Sequence, residues 1–499
     1  MRRIGAVLLL GIFNALAPVA TAWSRQGGAT ICLTFDSAVE IGMARSYRIK
    51  QLELDVRRRR AWLQAQRAGL KSKVYMTIHA PSFNALGEYK WNSVLQKDEL
   101  VRQNNQTWEM QLSIRQPVIL FGYPTDGYLS LNYRVYKYLQ LDGYRDISYY
   151  NRYFLKFEQP FFLPNRLKNA IENAELDLQE RELEYIRDRV VLLRDLADEY
   201  YRLFSYAYQA ETYKRQLQTL DSIRAIVERG ESGRDGGQIE RMQIQVEIAN
   251  TREKMLQSQS SLRLGIAELK RHLRIDEEDS VYIPPTIELV PVEVTLEDAL
   301  EKGYNLNPRL RILHIQQRQR RLELEETKSW NSFHLNLEVT YGLEKEDETY
   351  RQLASEMDRS YSVSVNAYVP IWDWGQRKFQ IEARSLAIEQ VELSMEEARH
   401  QIRSDIANAV ANLREYRERA LSLANHLEIA RQMRRMSVEQ FEQRRITLQD
   451  LLQTVHRELE TELNYLEAYL GYRKSLIRLT TETYFDYEKG KSLLDLFLQ

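Results

Sequence analysis

The stretch Tyr361-Ser-Val-Ser-Val-Asn-Ala-Tyr-Val-Pro-Ile-Trp-Asp-Trp-Gly-Gln-Arg377 changes its period halfway through. As far as Val369 apolar and polar residues alternate, which turns successive side chains to opposite faces of a strand. Beyond Gly375 the apolar row becomes Ile388, Val391, Met395, Ala398, Ile402, Ile406, Ala409, Leu413, Tyr416, Ala420, Leu423, Leu427 and Ala430. Its mean step is about 3.5 residues, the spacing of a coiled-coil seam rather than of a globular helix face. No Pro or Gly interrupts the run from Gln376 to Gln443. Such a helix would reach roughly 100 Å at 1.5 Å per residue. The chain feeds a strand directly into a rod of this kind twice.

Composition narrows the class. Among 499 residues, 70 Lys and Arg nearly cancel 71 Asp and Glu, so nothing marks a nucleic-acid partner. Cys32 is the single cysteine, which excludes a disulfide within the chain. Its distance from the N-terminus also argues against a lipoprotein acceptor. Gly (20) and Pro (11) are scarce, as a largely helical chain requires. Residues 1–22 read as a secretory signal: Arg2 and Arg3, the apolar run Ile4 to Leu16, then Ala20-Thr-Ala22 as a cleavage site. Beyond residue 22 no run of eighteen apolar residues occurs, so a helical membrane span is not expected. If the exported chain enters a membrane, it must do so as a β-barrel.

In order, Thr34 starts a helix predicted to run to about Lys71, with Arg57 to Arg60 on a solvated surface. Four alternating segments follow: Val74 to Ala80, Trp108 to Ile114, Leu129 to Val135 and Tyr153 to Phe157. Their off-phase residues are strongly polar (Glu109, Gln111, Ser113, Arg115, Ser130, Asn132, Arg134, Arg152, Lys156, Glu158). One apolar and one charged face suits a strand between lipid and a watery lumen. A half-exposed soluble sheet gives the same pattern. Gln159-Pro-Phe161 leads into a helix from about Asn165 to Arg229, the loop Gly230 to Gly237 breaks it, and a return helix runs from Gln238 to His272.

The second half repeats the first. Thr295-Leu-Glu-Asp-Ala-Leu-Glu-Lys-Gly303 matches Thr34-Phe-Asp-Ser-Ala-Val-Glu-Ile-Gly42 at an offset of about 261 residues. After the strands the offset falls to about 210, because the first half carries roughly fifty extra residues between its strands. The second rod ends near Gln443, Arg444 to Asp450 make a tip, and a return helix runs to about Glu482. Four segments result: 1–22 as signal, 23–291 as first repeat, 292–482 as second repeat, and 483–499 as a short tail.

On these motifs the chain resembles the TolC-like outer-membrane efflux family over its mature length. The carrying features are the starts at Leu33 to Ala38 and Val294 to Ala299, Asn307-Pro308, the turns at Gln159 to Phe161 and Pro370 to Arg377, and the tips. Ser46-Tyr47 replaces the usual Asn-Pro, and Arg445 stands where the second tip often has Gly. The resemblance implies a mainly α chain with transmembrane β structure. It also implies a homotrimer whose α-helical coiled-coil barrel joins a shared outer-membrane β-barrel, four strands per subunit and twelve in all. Implied partners are a periplasmic adaptor, an inner-membrane transporter and outer-membrane lipid, in a Gram-negative envelope with a large periplasmic part.

Three residue groups carry these expectations. Pro160, Phe161, Pro370, Trp372, Gly375 and Arg377 form the strand-to-helix turns. Leu337, Val339, Val363 and Val365 face lipid, while Asn336, Glu338, Ser364 and Asn366 face the lumen. Asp235, Gln238, Arg444, Arg445, Gln449 and Asp450 lie at the periplasmic aperture, Asp450 as cap and gate together. Independently of the resemblance, a few strands cannot close a barrel alone, so partner copies are required. The insertion, Ser82 to Tyr149, is expected to form a hairpin above the barrel, removable between Asn104 and Asp142. No catalytic set, metal pair or cofactor loop is read: the seven histidines are scattered, and Phe485 occupies the first glycine position of a phosphate loop before Gly490-Lys-Ser492. Two functions stay open at this point, an export duct and a periplasmic coiled-coil scaffold.

Overall fold

A computed structural model describes residues 30–141, 147–230 and 237–498; the signal segment and Asp235 lie outside the described residues. The chain opens with β1 (Thr30–Cys32), α1 (Phe35–Arg45) and α2 (Tyr47–Ala68). Four strands follow: β2 (Lys73–Asn92), β3 (Lys97–Leu120), β4 (Tyr123–Gln140) and β5 (Ile147–Phe161). Then come α3 (Arg166–Gly230), α4 (Gly237–Leu273) and β6 (Ser280–Tyr282). The second half brings α5 (Leu296–Leu306), α6 (Pro308–Ser329), β7 (His334–Asp347), a 3-10 turn (Tyr350–Ala354) and β8 (Asp358–Tyr368). It closes with α7 (Gln376–Glu442), α8 (Leu448–Thr483), β9 (Phe485–Asp486), β10 (Lys491–Ser492) and α9 (Leu493–Leu498). Among the described residues no helix is long and apolar enough to cross a membrane.

The internal repeat holds to the residue. Phe35, Tyr47 and Lys73 begin α1, α2 and β2; Leu296, Pro308 and His334 begin α5, α6 and β7 at the same offset. The starts are capped alike. Ser37 N–H donates to Thr34 Oγ1 (3.3 Å), and Asp298 N–H to Thr295 Oγ1 (3.3 Å), each satisfying a donor that a helix start leaves over. The expected single helix from Thr34 to Lys71 is broken at Ser46, whose extended backbone (φ −60°, ψ 128°) separates α1 from α2. Asn307 makes the equivalent break in the second repeat, accepting from Arg309 N–H (2.9 Å) with Pro308 at the first helical position.

Two compact units are present: one comprises residues up to Ile41 with Arg202–Thr286, the other Gly42–Tyr201 with Ile287–Gln499. In the first, β1 and β6 pair in parallel, and Leu203, Leu220, Ile223, Ile244 and Leu269 are buried along α3 and α4. Gly265 permits the close approach there, since a Cβ would lie 2.2 Å from Leu203 Cδ2.

In the second unit α7 and α8 pack lengthwise, with α5 and α6 against α7. All thirteen positions of the α7 seam are at least partly buried, and Ala398, Ile402, Ile406, Ala409, Leu413, Ala420 and Leu427 fully so. Leu448, Leu451, Val455, Leu459, Leu466, Tyr469, Tyr472 and Leu476 answer from α8. The Tyr472 hydroxyl donates to the Val290 carbonyl (2.7 Å) and accepts from Val292 N–H (3.0 Å), so this buried phenol is satisfied. Arg59 and Arg60 do not simply face solvent. They pair with Asp177 (3.0 Å) and Glu182 (3.0 Å) of α3.

The strands of this unit form one antiparallel sheet in the order β2-β3-β4-β5-β7-β8. Among the described residues this sheet therefore has six strands, not the expected four. The insertion does not stand apart from the sheet, because β4 pairs with β3 from Leu120↔Tyr123 to Asn105↔Gln140 and with β5 along its other side. What extends further is the far half of the β2–β3 hairpin, from Ala85↔Asn104 to Asn92↔Lys97, past the end of β4. The expectation that Asn104 to Asp142 could be removed is thereby corrected: that segment supplies central strands.

Candidate channel wall and helical tips

Register fixes which side chains share a face. Val339 pairs with Val363, Leu337 with Val365, and Leu335 with Ala367, so the four residues expected to face lipid lie on one side. Phe157, Leu155 and Tyr153 of β5 join them, opposite Val339, Tyr341 and Leu343. The same side continues through Leu129, Leu131, Tyr133 and Val135 of β4, then Ile114, Leu112, Met110 and Trp108 of β3. It ends on Val74, Met76 and Ile78 of β2. Val363 and Val365 are 67% and 63% exposed. Along β7 the band runs from Leu335 to Leu343, roughly 27 Å of strand. Beyond it, Asn151 and its partner Lys345 end the apolar run of β5 and β7, and Lys137 ends that of β4 one row further on.

The opposite face is polar and cross-linked. Arg134 Nε meets Glu109 Oε1 at 2.8 Å, Lys156 Nζ meets Glu158 (2.5 Å) and Glu338 (3.1 Å), and Arg152 Nε meets Glu344 (3.3 Å). Ser113 donates to Asn132 Oδ1 (2.7 Å). Asn336, Ser364 and Asn366 lie on this face with Glu338. Opposite charges from neighbouring strands alternate, so the face is charged without a dominant sign.

At one end of the sheet the chain passes between strands and helices four times: α2 to β2, β5 to α3, α6 to β7 and β8 to α7. The β3–β4 hairpin also turns there, with Phe121 (φ 50°) and Gly122 (φ 84°) both left-handed, as a tight type I′ turn needs. Gly375 (φ 80°) opens α7 in the left-handed region. The organising group, however, is Asp373, which the sequence reading passed over. Its carboxylate accepts from Arg377 N–H (3.1 Å), Gly375 N–H (3.0 Å) and Asn331 Nδ2 (3.3 Å), and those donors hold it below the usual carboxylate range. The Arg377 side chain reaches back to the Lys328 carbonyl (2.7 Å) near the end of α6. Trp372 and Trp374 meet edge to face (5.6 Å) and project outward, 74% and 86% exposed.

The first-repeat turn is built from a distance. Pro160 and Phe161 finish β5 opposite Asn336 and Leu335. Asp126, from the start of β4, accepts the N–H groups of Arg166 and Leu167 (2.9 Å to the latter) and caps α3. Gln159 bonds the Thr125 carbonyl (2.8 Å) and pins the same corner.

The aperture residues divide. Asp235 is not described, and Gln238 is exposed in the first turn of α4. In the other tip, α7 ends as a Schellman motif. Arg445 N–H returns to the Gln440 carbonyl (2.8 Å) and Arg444 N–H to Phe441 (2.9 Å), with Arg444 itself left-handed at φ 59°. Glycine chemistry is thus needed at Arg444 rather than at Arg445. Thr447 and Asp450 form a complete capping box: Thr447 Oγ1 accepts from Asp450 N–H (3.2 Å), and Asp450 Oδ2 accepts from Thr447 N–H (3.1 Å) as well as from the Thr447 hydroxyl (2.7 Å). Thr447 holds the Asp450 carboxyl below its ordinary range. Gln449 is exposed beside it.

The sequence matches no family model and no curated protein. Solved structures do match over nearly the whole chain. The outer-membrane channel OprN aligns with a TM-score of 0.63 at 14% identity, covering 90% of this chain and 89% of its own. The outer membrane protein VceC of Vibrio cholerae aligns at 0.62 and 12% identity, covering 90% and 95%. The CmeC outer membrane channel of Campylobacter jejuni aligns at 0.62 and 11% identity, covering 96% and 94%. At such identities the likeness is one of fold: the chain has the fold of TolC-like outer-membrane channels, paired long helices joined to an antiparallel sheet.

Proposed function

We propose that this protein is the outer-membrane channel of a tripartite efflux or type I secretion system, a passive duct assembled as a homotrimer. The observation that carries the reading is the sheet. A continuous apolar face crosses all six strands while ion pairs knit the other, as lipid on one side and water on the other demand. A periplasmic scaffold would gain nothing from Val363, Val365, Met76 and Ile78 exposed on one side. The exposed Trp372 and Trp374 at the strand-to-helix level fit an aromatic girdle at the membrane surface. Three copies would bring their helices together around a conduit, with an adaptor and an inner-membrane transporter docking on the periplasmic part. At the tip between α7 and α8, Arg444, Arg445 and Gln449 with Asp450 would form a constriction; Gln238 belongs to the tip between α3 and α4, as would Asp235, which lies outside the described residues.

The test is reconstitution. The protein should fractionate with the outer membrane, run as a trimer in mild detergent and open ion-conducting pores in planar bilayers. A protein recovered from the soluble periplasm, or a purified trimer without conductance, would overturn the duct in favour of the scaffold.

A further inference from the structure

The sheet of one chain is open. Among the described residues β2 and β8 have no strand on their outer sides. Natural edges are usually guarded by charge, proline or a bulge. Here neither charge nor Pro occurs from Ser360 to Val369 on β8, or from Val74 to Ala80 on β2. Pro81 falls only where the β2–β3 register shifts, between His79 and Ser82. Both edges carry their apolar residues on the same face of the sheet. β2 leaves the helical end and β8 returns to it, so the two edges would meet antiparallel.

We propose that a second copy of this chain completes each edge. β8 of one protomer pairs with β2 of the next, and three copies close an eighteen-stranded wall. The inference rests on the channel reading above and adds the joint, its register and the strand number. Following the ladders across one chain, Val363 lies level with Val339, Phe157, Leu129 and Gln116. Arg115 already pairs with Lys73, the first residue of β2, so that line leaves the sheet below β2. Matching the apolar bands of the two edges instead sets Val363 beside Ile78, Val365 beside Met76 and Ala367 beside Val74. The joint is therefore displaced about six residues along β2 over six strands. At about 3.3 Å per residue and 4.8 Å per strand, this tilts the strands by about 35° from the barrel axis. Membrane barrels tilt by about 35–45°, so the register demanded by lipid is also one that closes. On the polar face it sets Ser364 beside Thr77 and Asn366 beside Tyr75, with no like charges opposed.

The test is oxidative cross-linking in outer-membrane preparations of the full chain, in a Cys32→Ser background. Thr77→Cys combined with Ser364→Cys should give a reducible ladder ending at three copies. Tyr75→Cys combined with Asn366→Cys should do the same, guarding against a local failure of either pair. The offset pair Tyr75→Cys with Ser364→Cys should give about tenfold less product, because register is set by the buried face. Trimers that form and conduct but link through neither in-register pair overturn the joint, as does a ladder ending at two. A Cys32→Ser parent that is neither trimeric nor in the outer membrane overturns the channel reading itself.

Discussion

At the scale of single residues, the turns and tips show how much hangs on backbone donors. Arg444 sits in a left-handed conformation that costs a non-glycine residue about 1 kcal/mol. Arg444→Gly should raise the local opening free energy of Phe441–Thr447 by about that amount in hydrogen exchange; unchanged protection would show that the tip is not strained. Asp450 should make the first turn of α8 acid-sensitive. Its folded-state carboxyl titrates below the unfolded value of about 3.9, so its contribution is present above that pH and lost as pH falls through the folded value. Exchange of the Leu448–Leu451 amides, corrected for intrinsic rate, should quicken below about pH 4, and Asp450→Asn should abolish that dependence. The capping box was legible because Thr447 and Asp450 are three apart. Asp126 was not: it caps α3 from forty residues upstream, and no local pattern announces a cap delivered by a neighbouring strand. Asp373 was quoted within its motif, but its role appears only when the Gly375 and Arg377 amides turn toward it.

At the scale of elements, period reading found the faces and missed the lengths. The seam of α7 and the alternation of β7 and β8 follow directly from burial on one side, which is what hydrophobic spacing records. Beyond Ser82 the alternation continues in β2 through Phe83, Ala85, Tyr89 and Trp91, but Pro81 and the register shift between His79 and Ser82 cut it off from the first run. The polar partners Gln103, Asn104 and Asn105 hide the matching stretch of β3, so the strands looked shorter than they are. Replacing residues 85–104 by a two-residue Asn-Gly turn should preserve assembly, because every β3–β4 pair from Asn105 downward remains; loss of the trimer on gels would contradict this. The two faces should also respond differently to charge. Val363→Arg should cost about 2–4 kcal/mol near mid-membrane and Asn366→Arg much less. Equal yields of assembled protein from both variants would sink the assignment.

At the scale of the whole molecule, the repeat was readable and the strand count was not. The constant offset between α1–α2–β2 and α5–α6–β7 is a sequence property, whereas sheet membership depends on which distant strands pair. If three copies close the proposed ring, six strands from each would also widen what it encloses, since barrel diameter grows roughly in proportion to strand number. If the tips rather than the wall limit flow, Arg444→Ser with Arg445→Ser should raise single-channel conductance while trimer melting stays unchanged. Exposed ion pairs of about 0–1 kcal/mol each would leave such a constriction openable by a docking adaptor. Unchanged conductance would make the tips plain turns.

The unguarded edges bear on inheritance as well as on structure. In a ring joined head to tail, one copy with a spoiled β8 leaves a gap that two sound copies cannot bridge. Cells expressing equal amounts of normal and edge-defective protein would build wholly normal rings only about one time in eight. An edge mutation would then behave as dominant, whereas a mutation that merely prevents a chain from folding would be masked by the intact allele.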